Sequence, residues 1–594
     1  MAEHNATLAG KPVVIHAVES EDDLEGFREF IRGNLRLLAC DSETTGLDIY
    51  SNEFKCRVVQ FGNHEEAWVV PVERGGRYQA DVIKALHGVQ HLVFHNASFD
   101  LQVFDRCFGV RLEDMWKKVS DTRILAHLVD PRGREEGGSG HGLEDLTRYY
   151  LDEQVADEIK GSMAVMAREH KVTKAVIWKV IDYNHPQYQL YAGMDTILAA
   201  NLYRRLKPLV PADAQQLIRY EHRIAEVCSL MERTGFLLDR EYTVDLSERL
   251  HDEELAYEKQ AQILGCENIY STEQVADVLE ARGVTIPDRT PTGKRKVDKK
   301  LLGDLCGSGD EFAIAVQRAK RARKWRTTWV DGFLAGADSD DRCHASINAL
   351  RARTARMSIT GIPAQTLPAG DSMIRRCFLA DDGQLIASVD YQTQELRVLA
   401  GLAGDRTMQQ AFRTNADLHQ ITADTSGVDR KIGKMVNFAY VYGSGPRNIA
   451  EQGGISVDTA KKVIAGFESA YPKVKELSDK LQKFARRNGY ITTPFGRKLP
   501  VDRERPYSAL NYMVQSSSRD VTCHGLLRLH EAGFTPYLRL PIHDEMLASL
   551  PAEKAEWGAQ RIGELMATTF QGVYIGTDPE VGGRSWGSLY GADL

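Results

Sequence analysis

Residues 430–443, Arg-Lys-Ile-Gly-Lys-Met-Val-Asn-Phe-Ala-Tyr-Val-Tyr-Gly, carry chemistry in their spacing. Read as a helix, they set Arg430, Lys434 and Phe438 at successive i, i+4 positions. The three then share one face, with Tyr442 slightly further round it. The cations can neutralise a polyphosphate, and the aromatic rings can stack on a flat base. Gly443 closes the helix, and Ser444-Gly445-Pro446 breaks the pattern. Such a face suits a nucleoside triphosphate lying along the helix. An amphipathic surface helix with solvated cations and a buried Phe438 has the same pattern.

Carboxylates form a second constellation. Residues 35–40 read as a buried strand running into Asp41-Ser42-Glu43-Thr44-Thr45-Gly46. Period-two geometry puts Asp41 and Glu43 on the same side. Like charges that close are unfavourable unless a cation lies between them, and hard oxygen ligands suit Mg²⁺ or Mn²⁺. A second apolar strand, 91–95, leads to Asp100. Residues 188–195 are helical by pattern and place Tyr191 and Asp195 one turn apart on one face. Asp121 and His127 read as structural, and 130–142, rich in Gly and charge, as a flexible loop.

The elements that must position these groups fit within ordinary bounds. A chain of 594 residues is long enough for three or four domains. Its composition, 43% hydrophobic and 27% charged, is that of a globular protein. No apolar run is long enough to span a bilayer, and the N-terminus is no signal peptide. The nine cysteines include no C-x-x-C pair, which argues for reduced thiols in a cytoplasmic setting and against zinc. A net charge of −8 counts mildly against a nucleic-acid partner, although clustered metal-binding acids would offset basic grooves. From 211 onward the pattern turns helical, with helices over 215–233 and 242–264 and a capping box at Ser271. Two basic runs, 290–300 and 318–326, the second interleaved with Trp325, suit duplex phosphates without base readout. Solvated faces look the same.

The spacing Arg-x3-Lys-x3-Phe-x3-Tyr-Gly resembles the fingers-helix motif of family A DNA polymerases, the bacterial DNA polymerase I type. Asp41, Glu43, Asp100, Asp195 and Tyr191 resemble the set of an RNase H-like DEDDy 3′–5′ exonuclease. By that resemblance the four acids are metal ligands and Tyr191 orients the attacking water. Arg353-Thr-Ala-Arg356-Met-Ser358, followed by Gln365-Thr-Leu-Pro368, is similar to a degraded T-G-R-L-S-S…Q-N-I-P stretch. Ala355 and Ile359 depart from it, while Arg356 and Gln365 match and would touch primer-template. Asp390-Tyr-Gln-Thr-Gln-Glu395-Leu-Arg397 resembles the family's D-Y-S-Q-I-E-L-R; departures at Gln392, Thr393 and Gln394 leave the acids in place. Asp417-Leu-His419 matches a D-x-H stretch, and Asn511-x3-Gln515 a primer-template stretch in which Ser516-Ser-Ser-Arg519 replaces small residues.

Asp390 ends a strand over 384–389. Residues 537–542 and 546–550 read as a hairpin with His543-Asp544-Glu545 at its tight turn, which lifts Asp544 toward Asp390. Two carboxylates from two strands can bridge two cations that activate a primer 3′-hydroxyl and stabilise an in-line transition state. The resemblance puts Glu395 against the sugar's 2′ side and His419 among the nucleotide contacts, with His543 at primer-template.

The resemblance implies an α/β and α+β multidomain chain. The exonuclease domain would be 1–205, the thumb 206–345, the palm 346–404 and 500–594, and the fingers 405–499. It further implies two Mg²⁺ or Mn²⁺ ions at each active site, with primer-template DNA and dNTPs as partners. Too few residues precede the exonuclease motif for a 5′-nuclease domain, and no long thumb insertion offers a processivity partner. This compact plan resembles bacteriophage replicative polymerases, acting as monomers in the host cytoplasm. Two other readings stay open. In an exonuclease whose second half only grips substrate, Asp390 and Asp544 would be unneeded. A non-catalytic primer-template binder would need neither acid set.

Overall fold

The computed structural model describes residues 1–368 and 370–593. Its N-terminal part is built on a seven-stranded sheet in the order Ala2–Leu8, Lys11–Ala17, Glu66–Val70, Cys56–Gly62, Leu38–Thr44, Leu92–Phe94, Val119–Asp121. Leu38–Thr44 lies inside the sheet, antiparallel to Cys56–Gly62 and parallel to Leu92–Phe94. The strand therefore starts later and runs further than its apolar stretch predicts. The ladder with Cys56–Gly62 continues past Cys40, so Asp41 faces Gln60 and Glu43 faces Val58 within paired strand. The Pro186–Leu206 helix packs across these strands and is buried on most sides, with apolar and small residues from Leu190 to Ala200 broken by Asp195 and Thr196. Two glycines allow the close approach: a Cβ at Gly193 would lie 2.4 Å from Ile15, and one at Gly62 would lie 2.5 Å from the Thr196 hydroxyl.

The loop over 130–142 is tied down rather than free. Arg132 pairs with Asp130, Arg134 with Asp145, and Glu136 accepts a hydrogen bond from Arg353 in the second half of the chain.

That second half is organised on a four-stranded antiparallel sheet ordered Leu538–Ile542, Glu545–Pro551, Gln384–Tyr391, Thr577–Val581. The Ala555–Met566 helix packs on it, and the Ser508–Glu531 helix packs against that helix and adds Val521, Cys523 and Leu526 to the same core. The Gln215–Thr234 helix has two partners. Leu217, Ala225 and Leu230 join the N-terminal core, while Ile224, Val227 and Met231 join the core of the four-stranded sheet. A separate core spans Leu396, Val436, Phe467 and Val514, and another joins Ala261, Leu279 and Val316. Among the described residues, no helix is long and apolar enough to cross a membrane.

The basic runs are largely engaged within the protein. In the Glu311–Trp325 helix and just beyond it, Arg321 pairs with Glu253 and Arg326 with Glu254, both on the neighbouring Arg240–Ile263 helix; Arg323 lies over the Tyr270 ring. Arg295 is held by Glu273, Asp277 and Glu280. Side chains so paired offer less to a phosphate backbone than their sequence implies.

The junction of both halves contains four buried charges. Arg519 makes a two-pronged contact with Glu221, at 2.7 Å to each oxygen, and donates to the Ala349 carbonyl at 2.9 Å. Arg497 grips both oxygens of Asp520 and also reaches Glu221. All four are at most 5% exposed. Burial works to raise the Glu221 pKa, but Arg497 and Arg519 overcome it and hold the carboxyl below its usual value. A depressed carboxylate stabilises the fold above its ordinary pKa, and that contribution is lost as pH falls through the folded value. Removing one member of a buried ionic set leaves its partners unpaired, at about 3–5 kcal/mol. Glu221→Ala is therefore expected to destabilise the chain by that amount in denaturant unfolding at neutral pH. A loss below about 1 kcal/mol, the level of an exposed pair, would contradict this account.

Candidate active sites

In the N-terminal sheet, Asp41 and Glu43 come from Leu38–Thr44 and Asp195 from the third turn of Pro186–Leu206. Ligand atoms of the three all lie within 4.8 Å of one another. Asp100, in the first turn of Ala97–Phe108, stands beside this group and accepts a 2.6 Å hydrogen bond from Ser42, the residue between the two strand acids. Gln60 on the adjacent strand donates to Asp41 at 2.7 Å and to Glu43 at 3.4 Å. Burial drives all four acids up. Asp41 rises to about 7, and Glu43, Asp100 and Asp195 rise well above the usual range, with neighbouring carboxylates adding to each. One Asp195 oxygen is buried without a partner among the described residues. Such a set is unfavourable as it stands and fits a divalent cation. The Tyr191 phenol is pushed well up, first by the Asp195 charge and then by burial, so it stays a neutral O–H donor. Its ring packs on Trp178, at 5.7 Å between centroids. Tyr191, Asp195, Lys174 and Trp178 line one cavity of about 250 Å³. Asp121 caps the Thr122–Val129 helix and accepts from the Asn96 and Ala97 amides, and His127 bonds to the Ala352 carbonyl; both are structural.

In the second sheet, Asp390 is the penultimate residue of Gln384–Tyr391 rather than a group beyond the strand. Ile542 pairs with Glu545, so the turn is the two residues His543 and Asp544, and Glu545 already belongs to the next strand. His543 has φ +57°, the left-handed conformation that such a turn requires and that costs a non-glycine residue energy. The Asp544 carbonyl accepts from the Tyr391 amide at 3.1 Å, which locks the turn beside Asp390. The register also sets Glu545 directly opposite Asp390 on one side and Asp578 opposite it on the other. Asp390 is exposed to the cleft, yet its walls and then Asp544, Glu545 and Asp578 push it up to about 7. Burial raises Asp544 as well. This acid cluster also fits divalent cations. Glu545 and Asp578 were not singled out by sequence reasoning, because their role follows from strand register. Gln392, a departure from the resembled motif, donates to Asp578 at 2.6 Å.

A cavity of about 350 Å³ adjoins these acids. It gathers Arg356, Gln365, Gln515 and His543 with Glu395, Phe438 and Tyr442, and Asp544 borders it. Glu395 accepts from Arg356 through one oxygen and from the Tyr442 hydroxyl at 3.0 Å through the other. Gln365 is used internally: it accepts from the Ile359 amide and donates to the Met357 carbonyl. Gln515 donates to Asn511 at 2.8 Å and accepts from Thr354, so Asn511 stands behind the cavity wall. Ala355, where the resembled motif has glycine, is fully buried at φ +64°. The Ser516, Ser517 and Ser518 hydroxyls are buried with no partner among the described residues.

The Arg430–Val441 helix buries Ile432, Val436 and Ala439 and turns Arg430 and Lys434 to solvent, with Phe438 half-buried. Tyr442 is the residue after the helix, and Gly443 follows at φ +72°. Arg430 is not free: it pairs with Asp417, the cap of the Leu418–Ser426 helix. His419 on that helix lies against Phe438, at 5.8 Å between centroids. Arg430, Lys434 and His419 lie outside the 350 Å³ cavity, along the same face beyond Phe438.

The geometry has counterparts in known proteins. Residues 240–588 match DNA polymerase family A, and residues 15–211 match a 3′–5′ exonuclease family. The chain is 56% identical over its whole length to the full-length DNA polymerase of Mycobacterium phage L5, and 55% identical, again end to end, to that of Mycobacterium phage D29. DNA polymerase I of Chloroflexus aurantiacus is 27% identical over 81% of this chain and 53% of that one. Among solved structures, the POL domain of Pol1 from M. smegmatis, in complex with DNA primer-template and dNTP, shares the fold at a TM-score of 0.73 and 21% identity, covering 97% of this chain and 99% of that one. The chain belongs to DNA polymerase family A and carries a 3′–5′ exonuclease domain ahead of its polymerase domain.

Proposed function

We propose that this polymerase extends a primer 3′ end with deoxynucleoside triphosphates at Asp390 and Asp544, and edits that end at Asp41, Glu43, Asp100 and Asp195. The observation that carries the reading is the presence of two separate carboxylate clusters, each against its own cavity, in one chain. The mycobacteriophage relatives favour a role in phage DNA replication in the host cytoplasm. The domains are proposed as exonuclease 1–205, thumb 206–345, palm 346–404 and 500–594, and fingers 405–499. The chain is proposed to act as a monomer on primer-template DNA.

Mg²⁺ or Mn²⁺, two ions at each site, would supply charge neutralisation and acidification of the attacking hydroxyl or water. The rest is the work of side chains. Arg430 and Lys434 bind the triphosphate, for which Arg430 must exchange Asp417 for phosphate. Phe438 and Tyr442 bound the sugar and base, and His419 flanks the phosphates. Glu395, held by Arg356 and Tyr442, faces the sugar's 2′ side. Arg356, Gln365, Asn511, Gln515 and His543 form the primer-template side. In the exonuclease, Tyr191 orients the attacking water with its retained proton.

Two sets of acids imply separable activities. Asp544→Ala or Asp390→Ala should reduce nucleotide addition more than about 10²-fold while leaving 3′ degradation intact. Asp41→Ala with Glu43→Ala should do the reverse and raise misincorporation. Primer extension and degradation assays on nuclease-free preparations check both; an Asp544→Ala chain that extends at the parental rate would overturn the assignment.

Sugar selection gives a second outcome. Glu395→Ala removes the acceptor of both Arg356 and Tyr442 and should lower the preference for deoxy- over ribonucleotides. Exclusion by a packed wall can be strong, whereas one lost methylene is worth only about 1–3 kcal/mol. Phe438→Tyr supplies a hydroxyl that the ring lacks. The ratio of kcat/KM for deoxy- over dideoxynucleotides should fall severalfold or more; an unchanged ratio would mean that Phe438 is not at the sugar.

A further inference from the structure

Asn437, one residue before Phe438 and three after Lys434 on the same helix, is 1% exposed and lines neither cavity. Its amide nitrogen lies 3.0 Å from Nδ1 of His419 and 3.4 Å from the Leu418 carbonyl oxygen. Its amide oxygen accepts from the Thr422 hydroxyl at 2.7 Å. The Leu418 carbonyl also accepts from the Tyr471 hydroxyl at 3.0 Å. The atom of Asn437 that faces His419 therefore faces a carbonyl oxygen too, and only an NH₂ group suits both neighbours. Nδ1 of His419 must then be the acceptor, and a neutral ring carries its proton on Nε2.

We propose that Asn437 is a positioning residue that fixes the tautomer of His419, so that Nε2 keeps its proton as a neutral donor toward the triphosphate held by Arg430 and Lys434. The inference rests on the reading that this face takes the triphosphate. Burial, opposed by Asp417 and reinforced by Arg430 and Lys434, lowers the His419 pKa and keeps the ring neutral. Among the described residues, the charged and titratable groups around the ring are Asp417 on its own helix, Arg430 and Lys434 on the Asn437 helix, and Tyr471, which reaches the ring's surroundings through the Leu418 carbonyl. A neutral donor adds a hydrogen bond to a phosphate without a third cation beside two others. Its strength does not change with pH in the range where a free histidine titrates.

Two measurements test this. In the parent chain labelled with ¹⁵N-histidine, the His419 ring, assigned by its loss in His419→Gln, should show a protonated Nε2 and a bare Nδ1 between about pH 6.5 and 8.5. A proton on Nδ1 would overturn the proposal, and no change at Asn437 is needed to see it. Asn437→Asp places a group that only accepts against Nδ1. The acid raises the ring's pKa; above it the remaining proton sits on Nδ1 and Nε2 is bare. Nucleotide KM in Asn437→Asp should therefore rise about tenfold as pH increases across that window, while the parent stays flat and primer-template affinity holds in both. A flat, parental KM in Asn437→Asp, alongside a raised KM in His419→Gln, would overturn the inference alone. An unchanged nucleotide KM in His419→Gln would overturn the reading of the face, and the inference with it.

Discussion

Carboxylates within a few ångströms of one another in a poorly solvated site repel, and some other part of the fold must hold them there. This chain does so twice. In the N-terminal sheet the ladder between Leu38–Thr44 and Cys56–Gly62 fixes Asp41 and Glu43, and the close-packed Pro186–Leu206 helix drives Asp195 onto them. In the second sheet the ladder around Gln384–Tyr391 places Glu545 and Asp578 on either side of Asp390, and a left-handed His543 delivers Asp544. Upward pKa shifts at both sites record the same conflict, which a divalent cation resolves.

The two sites need a common frame. The Gln215–Thr234 helix belongs to both major cores, and the Glu221–Arg497–Asp520–Arg519 cluster closes its junction with the second half. About three turns further along the same helix, Glu232 accepts from Gln102 and Ser98 on the helix that bears Asp100, and from the Ile347 amide. Backbone and side-chain contacts of this kind hold the acid-bearing elements of the first site against the second half of the chain.

Much of the site was legible in the residues. The i, i+4 spacing of Arg430, Lys434 and Phe438 survives as one open helix face because Ile432, Val436 and Ala439 bury the other. Period two placed Asp41 with Glu43, since strands keep that geometry wherever their ends fall. Strand limits were less legible: Asp41, Glu43, Asp390 and Glu545 all lie inside ladders, because a pairing partner extends a strand beyond its apolar run. Beyond the pairing of Asp544 with Asp390 and the gathering of the four N-terminal acids, contacts between distant segments were not legible. Nothing local marks Asp578 as the neighbour of Asp390, Asp417 as the partner of Arg430, or Glu253 and Glu254 as the partners of a basic run. The Asn437–His419 contact likewise joins two helices whose packing only the folded core determines.

Anomalous scattering from Mn²⁺ in crystals of the chain with primer-template DNA and a non-reactive nucleotide tests the central claim most directly. The account predicts metal peaks between Asp390 and Asp544, and a separate set among Asp41, Glu43 and Asp195 when a 3′ end occupies that site. Peaks elsewhere, with both carboxylate clusters empty, would contradict it.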